Sequence, residues 1–171
     1  LERMGSLFGI ADTKGAIYDA LPPDGVAVVN ADDAFGPYFA QRAAPRRVLR
    51  FGIDSTADVS AAQIEESEGS TRFLLRTPDG WIDVELPLTG RHQVLNALAA
   101  ACIGLAADAS LDAIASGLAA AERVPGRQQP HRLASGALLL DDSYNANPGS
   151  VAAAIASLVD ASRRERGAEA W

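Results

Sequence analysis

Leu138-Leu139-Leu140-Asp141-Asp142-Ser143-Tyr144-Asn145-Ala146-Asn147-Pro148 is the stretch on which the reading of this chain turns. A short apolar run ends in two carboxylates, a polar loop follows, and a helix opens. Asn147 can cap that helix, and Pro148 fits its first position, where a missing N–H costs nothing. Val151, Ile155, Leu158 and Val159 then recur at helical spacing. In α/β folds, ligands sit beyond the carboxyl ends of strands, beside helix N-termini that favour anions. Asx-rich loops also arise because Asn and Asp make turns and cap helices. The residues alone therefore leave a plain turn and a ligand loop both open.

Working back toward the N-terminus, Leu7 to about Leu21 reads as a helix closed by Pro22-Pro23-Asp24-Gly25. Val26–Val29 and Val48–Phe51 read as short buried strands with a helix near 34–43 between them. The segments 60–66 and 71–77, then Ile82, Val84, Leu86 and Leu88 alternating with Asp83 and Glu85, predict a small antiparallel sheet with one wet face. Thr89 can cap a long helix packed through Val94, Leu95, Leu98, Cys102 and Leu105. Ser110 can cap the next, built on Leu111, Ile114 and Leu118. Glu122–Arg127 reads as a linker, with the domain boundary near Val124, and a hairpin over about 132–140 leads into the acidic loop.

The 171 residues suffice for one to two domains, and 48% of them are hydrophobic. No apolar run reaches the roughly 20 residues of a membrane span. A net charge of −7 with only small basic clusters argues against a nucleic-acid surface. The single cysteine, Cys102, excludes an intrachain disulfide and a multi-cysteine metal site, and it is expected only to pack. No secretory signal pattern is present, so the expected location is the cytoplasm. Leu1 stands where a full chain would have Met, and the expectation is a piece of a larger protein.

Lys14 is the sharpest single position. Leu7, Ile10, Ile17 and Leu21 form an apolar stripe on the first helix, and Lys14 falls in it. It is either snorkelling or partly buried. Burial would lower its pKa, and a neutral amine can take up carbon dioxide as a carbamate, a carboxylate-like metal ligand. The expectation is a partly buried Lys14 at the carboxyl-end face of the sheet, near Asn30. Asn30-Ala31-Asp32-Asp33 closes a strand and is either an Asx turn with Asp32 or Asp33 capping the next helix, or part of a site. His92 and Asn96 share one helix face, as a surface pair or as groups able to meet an adenine edge. No phosphate loop G-x-x-x-x-G-K-[ST], no H-E-x-x-H, no G-x-S-x-G and no zinc-ligand set occurs in the chain.

Five strings carry a family resemblance. Ala11-Asp12-Thr13-Lys14-Gly15-Ala16-Ile17 resembles an A-x-x-K-G-E-I segment of the Mur ligases, and Asn30-Ala31-Asp32-Asp33 resembles their N-A-D-D segment. Gly90-Arg91-His92-Gln93-Val94-Leu95-Asn96 with the alanines after it resembles G-x-H-N-x-x-N-x-x-A-A. Val124-Pro125-Gly126-Arg127 resembles the linker into the C-terminal domain, and Asp141 to Pro148 the opening of that domain, closest to the members that add D-alanyl-D-alanine. The chain departs from the pattern at Ala16, where Glu is usual, and at Gln93, where Asn is usual.

The resemblance implies an α/β fold. Residues 1–123 would be the later part of a central ATP-binding domain, with parallel strands, helices and a small antiparallel sheet. Residues 124–171 would start a Rossmann-like C-terminal domain. It implies ATP-driven amide formation in peptidoglycan synthesis, joining D-alanyl-D-alanine to a UDP-N-acetylmuramoyl-tripeptide through an acyl phosphate, with ATP and Mg²⁺. It implies a carbamylated Lys14 that helps place magnesium, Asn96 and His92 at the adenine, Arg127 reaching the nucleotide on domain closure, and Asp142 as the ribose-binding acid. Ser143, Asn145 and Asn147 would face the incoming amine. The isolated chain is expected to lack ligase activity, since the phosphate loop is not among its residues. Another Mur ligase, a folylpolyglutamate synthase, or a non-catalytic nucleotide-binding module remain as alternatives.

Overall fold

β1 (Val26–Asn30) and β2 (Arg47–Gly52) are short apolar runs that pair in parallel, from Val26 beside Arg47 to Asn30 beside Phe51. Between them α2 (Gly36–Ala43) makes the crossover. β3 (Val59–Glu66) is also parallel to β2, yet only Phe51–Val59 and Gly52–Ser60 pair. Parallel neighbours normally need a connection of about a dozen residues or more. Here residues 53–58 suffice, because β3 begins where β2 ends and runs on past it. β4 (Thr71–Thr77) and β5 (Gly80–Leu86) then add antiparallel, giving one sheet in the order β1-β2-β3-β4-β5. The expected antiparallel strands are present, and they are continuous with the parallel ones. The computed structural model describes residues 6–67, 69–122, 124–126, 129–144 and 148–164.

α3 (Arg91–Ala106) packs across β1, β2 and β3, burying Val94, Ala97, Leu98, Ala101, Cys102 and Leu105. Each fully buried Leu of this kind contributes roughly 1.5–3 kcal/mol. Burial pushes the Cys102 thiol up to about 12, with a smaller push from the Asp58 carboxylate, so Cys102 packs as an inert apolar group. α4 (Leu111–Ala119) lies on β5 and buries Ile114 and Leu118, and Ser110 caps it by accepting the Ala113 N–H at 3.2 Å. Thr89 does not cap α3. The cap is Gly90, with φ of +102° and no side-chain hydrogen bond. That backbone conformation is open to glycine and strained for threonine, so the chain turns into the helix one residue later.

α1 (Leu7–Asp19) rests on α2. Its buried residues are Ala11 and Gly15, with Tyr18 and Leu21 packed on the Ala27, Val29 and Ala43 cluster. The expected stripe is therefore displaced around the helix: Leu7 and Ile17 are 66% and 67% exposed, and Lys14 is exposed with them. Small residues let α1 sit close to α2, and that closeness decides which face is buried.

These elements form one compact unit, Leu1–Ala120, and Ala121–Trp171 forms a second. In the second, β6 (Gln129–Arg132) and β7 (Leu138–Asp141) pair antiparallel, and α5 (Pro148–Arg164) begins at the proline. Val151 and Ile155 on α5 are exposed, while Leu158 and Val159 are half-buried. No helix among the described residues is long and apolar enough to cross a membrane.

The carboxylate of Asp32 fixes the jog between β2 and β3. It accepts the N–H groups of Ile53 at 2.7 Å, Asp54 at 3.2 Å and Ser55 at 2.7 Å. Gly52 makes room for it, since a Cβ there would lie 2.9 Å from Asp32 Oδ1. Burial pushes this carboxyl up, but the donors at Ile53, Ser55 and Asp54 outweigh it and hold the pKa below the usual carboxylate value.

Two predictions follow from this packing. A Cβ on Gly36 would lie 2.7 Å from the Asn30 carbonyl oxygen, whereas one on Gly117, on the exposed face of α4, meets nothing within 4 Å. In thermal unfolding, Gly36→Ala should cost about 1–3 kcal/mol, and Gly117→Ala should add roughly 0.5–1 kcal/mol. Because the folded pKa of Asp32 is depressed, its contribution is present above the unfolded carboxylate value of about 3.9 and is lost as pH falls through the lower folded value. Asp32→Asn should lower stability at neutral pH by about 1.5–3 kcal/mol and flatten the acid limb of a pH titration of stability.

Candidate functional site

Sequence and fold bring polar groups to the carboxyl ends of β1 and β2. Asn30 ends β1, and its Oδ1 accepts the Asp32 N–H at 2.9 Å, an Asx turn. Asp33 Oδ1 accepts the Phe35 N–H at 2.7 Å and its carbonyl accepts the Gly36 N–H, so Asp33 shapes the entry to α2. Asp32 does something the sequence does not announce: it reaches across to the loop after β2. Asp54 of that loop pairs with Arg91, the first residue of α3. A continuous chain of contacts therefore runs from Asn30 through Asp32 and Asp54 to the start of α3.

His92 and Asn96 occupy the first turns of α3, His92 half-buried and Asn96 exposed. Asn96 Nδ2 donates to Gln93 Oε1 at 3.3 Å. The longer arm of Gln93 thus orients the Asn96 amide while leaving its carbonyl oxygen and second N–H turned to solvent. An amide so presented can match a donor–acceptor edge such as adenine.

Lys14 departs from expectation. Its side chain is exposed, and among the described residues it makes no salt bridge. The residues beside it are the ones held. Arg42 on α2 donates to Asp12 Oδ1 and to the Asp12 carbonyl, each at 2.7 Å, and forks onto both oxygens of Asp19. Its hydrogen bond holds the Asp19 carboxyl below the usual range. No three His, Cys, Asp or Glu among the described residues converge on a metal position. Asp32 is already saturated with N–H donors. The described residues therefore do not by themselves make a Mg²⁺ site, and Lys14 as a carbamate would supply one ligand.

In the second unit the linker and the acidic loop meet. The Tyr144 N–H donates to the Gly126 carbonyl at 3.0 Å. Gly126 has φ of +73°, and a Cβ on it would lie 3.3 Å from that nitrogen and 3.4 Å from Ser143 Oγ. Glycine is thus required twice over, for its conformation and for the close approach. Asp141 Oδ1 accepts the Ser143 N–H at 3.0 Å, and the Ser143 hydroxyl, its N–H and His131 hold the Asp141 carboxyl below the usual range despite partial burial. The first carboxylate of the pair is thereby committed to shaping the loop, and Asp142, half-buried, follows it. Arg127, Asn145 and Asn147 lie outside the described residues.

Residues 1–104 match the Mur ligase middle domain. The chain is 46% identical, over 94% of its length, to the UDP-N-acetylmuramoyl-tripeptide–D-alanyl-D-alanine ligase of Escherichia coli, of which it spans 36%. A Bacillus velezensis ligase named for 2,6-diaminopimelate is 44% identical over 59% of the chain. Among solved structures, MurF from Acinetobacter baumannii superposes with a TM-score of 0.85 at 38% identity, over 91% of this chain and 34% of that one. MurF from Thermotoga maritima, in complex with ADP, gives 0.76 at 28% identity, over 91% of this chain and 35% of that one. The chain spans about a third of the length of the E. coli ligase and of the two MurF structures, and about a fifth of the B. velezensis ligase. The order of its motifs, the sheet that carries them and the match over residues 1–104 agree: the chain belongs to the Mur ligase family.

Proposed function

We propose that the chain is part of an ATP-dependent ligase that joins D-alanyl-D-alanine to a UDP-N-acetylmuramoyl-tripeptide. In this reading residues 1–123 are the later part of the central domain, and residues 124–171 open a Rossmann-like C-terminal domain. One observation carries it above the other ligases. The similarity to the D-alanyl-D-alanine ligase of E. coli extends over 94% of the chain, whereas that to the diaminopimelate ligase covers 59%.

In this reading a carboxylate oxygen of the tripeptide attacks the terminal phosphorus of ATP and ADP leaves. The amine of the dipeptide then attacks the acyl carbon and gives up a proton, the acyl C–O bond breaks, and phosphate leaves carrying that oxygen. Asn96, with His92 beside it, meets the adenine, and Arg127 reaches the nucleotide when the domains close. Asp142 takes the ribose hydroxyls, while Asp141 and Gly126 hold the loop that presents it. Ser143, Asn145 and Asn147 line the approach of the amine. Lys14, as a carbamate, would supply one ligand to Mg²⁺, which would neutralise charge on the transferring phosphoryl group. Binding one nucleotide from two domains couples closure to nucleotide binding.

Two measurements on the full-length enzyme test this. Lys14→Ala should lose most activity and regain part of it when short carboxylic acids are added; a fully active Lys14→Ala enzyme removes the assigned role. Asp142→Ala should raise KM for ATP more than KM for the dipeptide, and the opposite ranking would move Asp142 out of the nucleotide site.

A further inference from the structure

We infer that Arg42 is a positioning residue: its guanidinium sets the roll of α1 about its own axis and with it the direction of Lys14. This rests on the reading of Lys14 given above.

Around Lys14 itself α1 has no large buried side chain to set that roll. The residues buried on the helix are Ala11 and Gly15, which offer no knob to lock into α2. At its two ends aromatic rings hold the helix: Phe8 meets Phe35 and Tyr38, with centroids 6.4 and 5.3 Å apart, and Tyr18, half-buried against Phe39, donates its hydroxyl to the Val28 carbonyl at 3.1 Å. Between those ends the directional polar contacts come from α2. Arg42 Nη1 holds the Asp12 carbonyl and carboxylate, and Nε and Nη2 hold the Asp19 carboxylate. Tyr38, also on α2, donates to Asp12 Oδ1 at 2.9 Å and accepts from Arg42 Nη1 at 3.0 Å. Asp12 and Asp19 lie one on each side of Lys14 along the helix, and the guanidinium crosses between them over Gly15. A Cβ at Gly15 would stand 2.9 Å from Nη1.

The Arg42 side chain is only 21% exposed. A bidentate, partly shielded fork is more rigid than an exposed lysine pair would be. At about 100° per residue, a roll of about 20° carries a group roughly 6 Å from the helix axis through about 2 Å. A displacement of about 1 Å can cost on the order of a hundredfold in rate. A clamp that fixes roll is therefore worth more to Lys14 than to the core.

The test is a double-mutant cycle in the full-length ligase carrying this segment, with kcat, KM for ATP and the unfolding temperature measured for each variant. Arg42→Met should lower kcat on the order of tenfold with KM for ATP unchanged. Arg42→Lys should restore part of that loss, and Gly15→Ala, which pushes the guanidinium aside, should lower kcat in the same sense. In Lys14→Ala with acetate restoring turnover, the carboxylate that stands in for the carbamate is no longer carried by α1. Arg42→Met should then change the rate by less than about twofold. If it lowers the acetate-supported rate as much as it lowers the wild-type rate, Arg42 serves the fold alone and the inference is overturned. An unchanged kcat in Arg42→Met overturns it as well. Should Arg42→Met fail to fold, Arg42→Lys and Gly15→Ala carry the same cycle. If Lys14→Ala is fully active without acetate, the functional reading falls, and that outcome is distinct from additivity in the cycle.

Discussion

One carboxylate holds the junction on which the first unit is built. Asp32 leaves β1 and collects the N–H groups of Ile53, Asp54 and Ser55, at the point where a parallel strand ends and its neighbour begins. Without those acceptors, three backbone donors in a tight loop would need water or strain. With them, β3 starts beside the last residues of β2 and the sheet extends beyond the parallel pair. The same loop offers Asp54 to Arg91, so the entry to α3 is tied to the same carboxylate. Backbone N–H donation to an ionised acceptor is directional as well as favourable. A single side chain can therefore fix the place of a strand and lend support to a helix.

Much of this was legible in the sequence, for identifiable reasons. Apolar runs ended by Asx or Gly gave the strands, Ser110 gave its cap, and Pro148 gave the start of α5. Period and punctuation are local signals, and local signals survive folding. The face of α1 was not legible, because residue size overruled hydrophobicity. A stripe of Leu7, Ile10 and Ile17 is the stronger pattern on paper, yet Ala11 and Gly15 permit the closer approach, and Arg42 with its two aspartates takes the space they leave. A guanidinium on one helix and carboxylates on another are unrelated until tertiary structure joins them. Thr89 misled for a related reason. A capping side chain is visible in sequence, but the preference of Gly90 for positive φ decides where the turn is made.

The acidic loop shows how adjacent, chemically identical residues divide their tasks. Asp141 ends β7 and is occupied by Ser143, while Gly126 lets the backbone of the preceding linker reach Tyr144. Residue type alone does not tell Asp141 from Asp142; only the family resemblance singled out Asp142. In the fold Asp141 accepts the Ser143 N–H and so helps set the local geometry of the loop. Gly126 belongs with the loop for the same reason, although eighteen positions separate it from Tyr144.

The narrow overlap of β2 and β3 also bears on the order in which contacts can form. The β3-β4-β5 meander is joined by short turns, so its pairing closes small loops at little entropic cost. Pairing β1 with β2 must close a loop through the whole of α2, and the pairing of β2 with β3 adds only two rungs to whatever exists on either side. Connectivity therefore makes the sheet two locally closed pairings joined by a two-rung seam, and Asp32, whose partners lie just past β2, can hold the loop that leads into that seam as soon as β1 and β2 have paired.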